Sequence, residues 1–491
     1  VTFGPDHVTP VAGVATRWET SEDQLTWTFH LGESKWSGGE PVTPGDFVYA
    51  WRRLLDPKMD APFGNVLRIF KNVPAYLDAR EARWVLSDLE SALFAGEAIE
   101  ERKGDLEFLG EVARLDQVSL LEKLSKKCTG EARTLLEKAA AQARERAPLQ
   151  LGDLGFRAVD KKTLQLTLEK PTPWLLDTLG FMALYPVPRA LVEKEGKSWS
   201  VLGVLQTNGP YQLEKGSENG LSLKRVRGEG PDKVEISWTS AEKAYASFKR
   251  GELDWLDEKH IPDRALEELS EGEGFHYFHQ WGSWFLRLNH KKGAFEKKAA
   301  RLAFAHAIDR DPLSALVRMA SASSLVPPGY PGYPVVEAPK QSPAKAVRNL
   351  LRGWLDTKEF PRSTLLVPDA FREVGAHLVK QWREILGIDI RLRAMKIPAY
   401  LRALSLGEYD IVLDLRVGEF FHPFVFLQES FPELRTAPLE ELAAAEKSLV
   451  SEEVLLIPLW TMGTYRQVSP EVTGAVPNLR GRVLLPHLRK P

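Results

Sequence analysis

Residues 25–31 (Leu-Thr-Trp-Thr-Phe-His-Leu) alternate apolar and polar side chains, and this period of two predicts a strand. The turn residues Ser37-Gly38-Gly39 follow, and Thr43-Pro44-Gly45-Asp46 then opens a helix. Thr43 suits the N-cap, Pro44 the first helical position, and Asp46 the third, as a variant of the capping box. The helix covers Phe47 to Leu55 and stops at Asp56-Pro57, where proline opposes continuation. From about residue 73 to 150 the chain is rich in Ala, Glu, Leu, Arg and Lys. Leu106, Leu109, Val112 and Leu115, then Leu135, Leu136 and Ala139, recur at helical spacing, which predicts two or three amphipathic helices with solvated charged faces. Residues 163–168 and 221–226 alternate as strands. Phe371, Val374, Leu378, Trp382 and Ile385 mark one face of a helix that ends at Gly387, a C′ glycine. A strand at 388–392, a helix near 400–406 and a strand from Tyr409 follow. This rhythm predicts a mostly parallel α/β sheet in the C-terminal half, while the front half reads as mixed α+β. The turn-rich stretch Val326-Pro327-Pro328-Gly329-Tyr330-Pro331 is the best candidate for a linker.

At 491 residues the chain exceeds one hydrophobic core, so two or three domains are expected. The formal net charge is −2, with no basic stripe, so nothing points to a nucleic-acid partner. No run of about 18 apolar residues exists that could span a bilayer. The first residues lack the basic and apolar regions of an export signal, so a signal for an exported protein is expected to have been removed or to lie outside this numbering. Cys128 is the single cysteine, which excludes an intramolecular disulfide, and it reads as an inert small side chain on a helix. Fourteen tryptophans are many for this length, and large rigid rings suit a protein that grips varied ligands as well as filling cores. Only seven Asn and twelve Gln occur, a bias that leans towards a hot environment.

Catalytic patterns do not emerge. There is no His-Glu-x-x-His, no Gly-x-Ser-x-Gly and no Gly-x-Gly-x-x-Gly. Gly196-Lys197-Ser198 imitates the end of a phosphate loop, but Leu191 stands where the upstream glycine must be, so the backbone nest cannot form. The carboxylate pairs Glu440-Glu441 and Glu452-Glu453 lie in amphipathic helical surroundings and read as solvated. No enzyme, cofactor or metal site is expected.

The run Val14-Ala15-Thr16-Arg17-Trp18-Glu19, Leu25 to Leu31, Lys35 to Thr43 and Asp46-Phe47-Val48-Tyr49-Ala50-Trp51 resembles the signature block of the bacterial family 5 solute-binding proteins. Members serve oligopeptide, dipeptide, nickel and some oligosaccharide importers. The resemblance continues through Asp160 to Leu168 with Pro171, Thr207-Asn208-Gly209-Pro210-Tyr211, Phe248 to Asp254 and Arg301 to Arg310, and ends with Leu386 to Ile390 and Gly407 to Ile411. It covers nearly the whole chain. Two places depart: the family's N-terminal strand region, which pairs with bound peptide, is expected to be absent, and the helical stretch 73–150 is longer than the family pattern.

The resemblance implies an α/β fold of the periplasmic-binding-protein type II class, with two α/β lobes joined by a hinge plus an extra smaller domain. The implied division is 1–150 for the smaller domain with its helical insertion, 151–252 plus 462–491 for lobe I, and 253–461 for lobe II. It further implies a monomeric, extracytoplasmic receptor, free in a periplasm or lipid-anchored. Such a receptor captures oligopeptides between its lobes and delivers them to the permease subunits of an ABC importer. In the peptide-binding branch the ligand backbone bonds as an added strand and its α-amino group meets an acidic residue. Counting from Asp410-Ile411 through Leu415-Arg416-Val417-Gly418, Glu419 stands at that acidic position. Arg416 replaces a tryptophan that flanks the peptide, and it either pairs with Glu419 or receives a ligand carboxylate. Leu415 replaces glycine. Val417, Tyr49, Asn208, Trp281, Trp284 and Arg287 complete the candidate ligand contacts, with core packing the competing reading for both tryptophans. An oligosaccharide or other solute receptor of the same fold, or a sensor that has lost transport, are the alternatives.

Overall fold

A computed structural model of the chain describes residues 2–3, 9–59, 61, 63–97, 99, 102–354, 360–418, 420–475, 481 and 483–490. The chain forms two compact units, one of residues 1–2 and 10–208, the other of residues 3–9 and 209–491. The chain passes from the first unit to the second between Asn208 and Gly209.

In the first unit, four antiparallel strands lie in the order Ala15–Thr20, Thr26–Leu31, Thr163–Thr167, Phe156–Ala158. Pairing of 156–167 with 26–31 is what ties residues beyond 150 to the front of the chain. The helix Pro44–Leu54 starts as its cap predicts: the Asp46 carboxylate accepts from the Thr43 N–H at 2.8 Å and from its hydroxyl at 3.0 Å. Trp51 on that helix is sealed in the core. Its ring stacks on Phe70 and meets Phe156 edge-on, each at 5.4 Å, and its indole N–H donates to the Leu184 carbonyl.

The Leu- and Ala-rich stretch forms four helices, Val73–Phe94, Lys103–Val112, Val118–Ser125 and Gly130–Arg144, rather than two or three. They enclose a core of their own, from Ala82 and Leu86 to Ala139 and Ala143. Cys128 is buried in that core, in the connection between two helices rather than on one. Among the described residues no helix is long and apolar enough to cross a membrane.

In the second unit, a three-stranded antiparallel sheet (Tyr211–Ser217, Gly220–Arg225, Lys233–Ser237) accompanies a six-stranded one. The larger sheet runs Trp255–Asp257, Leu456–Val468, Phe275–Leu288, Ile411–Val417, Ser363–Pro368, Ile390–Met395. Only the pairings made by Ser363–Pro368 are parallel; the other three are antiparallel. The sheet is therefore mixed, not mostly parallel. The helix–strand rhythm built the parallel part, with helices Arg372–Leu386 and Ile397–Ser405 as connections. Two long strands, 275–288 and 456–468, arrive from distant parts of the chain and add antiparallel neighbours that no local period reveals. Gly387 closes its helix in the left-handed conformation, φ 67°, as a C′ glycine should.

Candidate functional site

Most of the sequence-nominated residues fall in the second unit, around the end of the strand Ile411–Val417 and its antiparallel partner Phe275–Leu288. The ladder between 275–288 and 456–468 is regular from Phe275 to His279, and its register shifts twice, between His279 and Ser283 and again between Trp284 and Phe285. Trp281 sits in the first of these shifts, buried, and turns towards the segment after Val417. Its carbonyl accepts from the Gly418 N–H at 2.7 Å, and its indole N–H donates to the Phe420 carbonyl at 2.9 Å. Glu419 itself lies outside the described residues, but the residues on either side of it are both held by Trp281. Gly418 has to be glycine here, because a Cβ would stand 1.9 Å from the indole ring.

The Trp281 ring is packed in turn by Phe421 at 4.7 Å, Phe426 at 5.2 Å and Tyr330 at 6.2 Å. Tyr330 also lies 4.9 Å from Phe421 and 5.5 Å from the His422 ring. Tyr330 belongs to the stretch expected to be a linker. It is instead interior to the second unit.

The two candidate arginines are paired within the protein. Arg287 gives two bonds to Asp414, at 2.8 and 3.1 Å, and two to Glu429, at 2.8 and 3.1 Å. Arg416 pairs with Glu429 and donates to the Phe426 carbonyl at 2.9 Å. Burial works against the charge of Arg287, yet Glu429 and Asp414 outweigh it and its pKa is raised. Burial likewise opposes the Glu429 carboxylate, and the two arginines overcome that and hold its pKa down. Two cations thus meet two anions, and the set is formally neutral. Val417, at the strand end opposite Gly282, is exposed. Trp284 packs on the main core of the unit, its ring 4.4 Å from Phe371 and 6.2 Å from Trp460.

Tyr49 and Asn208 belong to the first unit. Tyr49 is half-buried, with the guanidinium of Arg189 at 5.5 Å and that of Arg53 at 5.9 Å from its ring centre. Asn208 follows Thr207, whose backbone pairs with Ser37 in the Ser-Gly-Gly turn at 2.8 Å; two stretches of the family resemblance meet there.

Sequence reading missed Glu446. It is 0% exposed and accepts from Ser324 Oγ (2.8 Å), the N–H groups of Leu325 (2.6 Å) and Val326 (2.9 Å), and Tyr333 Oη (2.7 Å). Burial pushes its pKa up, and these donors pull against it. The available signal was position: an acid four residues from Leu442 and three from Leu449, on the apolar face of the helix Leu439–Lys447. Glu453, read as solvated, bonds to Arg301 at 3.1 Å and Lys298 at 3.2 Å.

His422 is buried, and its Nδ1 accepts from the Phe424 N–H at 3.3 Å. Burial lowers its pKa to about 4. Below pH 6.5 the unfolded chain takes up a proton that the folded unit refuses, so this group's stabilisation is complete above about pH 6.5 and lost as the pH falls towards 4. The loss amounts to at most about 3 kcal/mol. Calorimetry of the protein and of His422→Gln between pH 7 and 5 checks it: the parent loses stability on acidification and the variant loses less. Equal slopes would assign the acid sensitivity elsewhere.

Among the described residues no group of three or more His, Cys, Asp or Glu is placed to hold a metal ion. What the described residues offer here is aromatic packing around Trp281 and internally balanced charge.

The chain matches the family model of bacterial extracellular solute-binding proteins, family 5 Middle, over residues 9–436, and it belongs to that family. It is 25% identical over 446 residues to the periplasmic murein peptide-binding protein MppA of Escherichia coli, covering 85% of this chain and 69% of that one. It is 23% identical over 440 residues to the periplasmic oligopeptide-binding protein OppA of Salmonella typhimurium, with 85% and 68% covered. Among solved structures, the unliganded open form of MppA matches with TM-score 0.73 at 22% identity, covering 98% of this chain and 88% of that one. Listeria monocytogenes OppA bound to peptide matches with TM-score 0.61 at 18% identity, with 100% and 92% covered. The fold is the α/β type II periplasmic-binding-protein fold, and the family's members are solute-binding proteins.

Proposed function

We propose that this chain is the extracytoplasmic substrate receptor of an ABC importer, that it captures oligopeptides and passes them to the membrane permease, and that it is not an enzyme. The observation that carries this reading is that Gly418 and Phe420, the neighbours of Glu419 in the chain, are both hydrogen-bonded to Trp281. A carboxylate between two anchored neighbours is suited to a charge-assisted bond with a peptide's α-ammonium group. The pairing of Arg287 and Arg416 with Asp414 and Glu429 supports the same choice, since both cations are already engaged by protein carboxylates. Relatives named for oligopeptide and murein peptide binding add family-level support. Tyr49 and Asn208 are proposed contacts of the first unit, and Val417 offers an exposed strand end for backbone pairing.

Mass spectrometry of small molecules released by denaturing the purified protein is the first test, with peptides of a few residues expected. Calorimetric titration then compares the parent with Glu419→Gln. Loss of one hydrogen bond to a charged group, about 1.5–3 kcal/mol, weakens peptide binding about 10- to 100-fold. N-acetylating the peptide is expected to reproduce that loss, with no further loss in the variant. Release of sugars instead of peptides would move the chain to an oligosaccharide branch. Unchanged affinity in Glu419→Gln would remove the residue from the site.

A further inference from the structure

The second unit contains a pocket of about 200 Å³, bounded by His279 and Thr461 from the two long strands and by the segment 321–335. That segment includes the stretch 326–331, which sequence reading left as a linker. Its shape is imposed from beneath by Glu446. The one buried carboxylate ties the chain at Ser324, Leu325 and Val326 and again at Tyr333, so both ends of the intervening loop are fixed to a single side chain.

No Asp, Glu, Lys or Arg is among the residues that line the pocket, and several of its polar side chains are engaged within the protein. His279 Nδ1 lies 3.1 Å from Thr461 Oγ1, and the Tyr333 hydroxyl donates to Glu446. Valine, proline and aromatic surface supplies much of the remaining lining. Such a pocket disfavours a charged group, which would lose hydration without gaining a partner, and favours an apolar one. Its volume is below the roughly 300–1,000 Å³ of sites that enclose a whole small ligand, and suits one bulky side chain. Tyr330 forms part of the pocket and also packs on Phe421 and Trp281, so one aromatic ring links the pocket to the side chain that holds Gly418 and Phe420.

We propose that this pocket is a side-chain subsite that admits one aromatic or branched aliphatic residue of a bound peptide and rejects charged ones. The proposal rests on the peptide-receptor reading above. Burying one such side chain raises affinity about ten-fold or more over alanine.

The test titrates the whole protein with tetrapeptides that carry Ala, Leu, Phe or Lys at one position at a time. At one position Phe and Leu are expected to bind about ten-fold or more tighter than Ala, with Lys weakest. Ser323→Phe, which fills the pocket, is expected to abolish that preference and leave the all-Ala peptide bound as before. Thermal melting verifies that the variant is folded, and Val335→Trp, at an exposed position of the same wall, serves if it is not. Peptide binding with no such preference at any position, or a preference that survives filling, overturns the subsite and leaves the receptor reading standing. A parent that binds none of the peptides overturns both.

Discussion

Replacing Arg287 by alanine is expected to destabilise the second unit by about 3–5 kcal/mol, the cost of removing one partner from a largely buried ion pair. Asp414 is buried, and its Oδ2 relies on Arg287, while its Oδ1 accepts from the Leu415 N–H at 2.8 Å. Without the guanidinium that carboxylate is left in a desolvated place with no counter-charge, which costs free energy. Glu429 suffers less because Arg416 still holds it. Calorimetry that follows the transition of the second unit measures the effect. A double replacement, Arg287→Met with Asp414→Leu, is expected to recover most of it, because Glu429 keeps Arg416 and no buried charge is then stranded. A cost below about 1 kcal/mol for Arg287→Ala would mean that the cluster behaves as a solvent-screened surface network.

Glu446→Ala is expected to have a comparable effect, about 3–5 kcal/mol, by a different route. The loss is of a shared acceptor rather than of a counter-charge. Two buried backbone N–H groups and two half-buried hydroxyls lose their partner at once. Glu446→Gln is expected to fall between parent and Ala. Its carbonyl oxygen can still receive the donors at 324–326, and its amide can donate to the Tyr333 hydroxyl. Chemical denaturation gives the stabilities, and hydrogen exchange at Leu325 and Val326 gives the local part. Protection of those two amides that survives in Glu446→Ala would contradict the role assigned to the carboxylate.

Which parts of this were legible in the sequence follows from the range of the interaction concerned. The start of the helix at Thr43 and the end of the helix at Gly387 were readable because cap and C′ chemistry are settled within four residues. The strands Thr26–Leu31, Thr163–Thr167 and Gly220–Arg225 were readable from their period of two. The sheet of the second unit was misjudged as mostly parallel because its antiparallel neighbours are set by tertiary pairing, with Trp284 opposite Trp460 across a long chain separation. The family-like block nominated Arg416, yet nothing local announced that it would be engaged by Glu429, on a different element. Likewise, a proline-glycine stretch carries turn chemistry whether it joins domains or lines a pocket. Only its partner, Glu446, far along the chain, distinguishes the two.

The helix Val73–Phe94 has one foot in each of two cores. Val73 and Leu77 belong to that of the four-stranded sheet, and Ala82, Leu86, Leu89 and Ala92 to that of the helical stretch. At its base, Lys71 and Gly155 are hydrogen-bonded at 2.8 Å, and Asn72 donates to the Asp153 carbonyl at 2.8 Å, so the chain leaves and returns at the same spot. The helical stretch is thus built like a cassette: its length and contents can change while the two chain ends presented to the sheet stay in place. For an engineer, the segment between Leu77 and Asp153 is the natural splice site for a reporter or an affinity handle, since exchanging it leaves untouched the strand pairings on which the rest of the first unit depends.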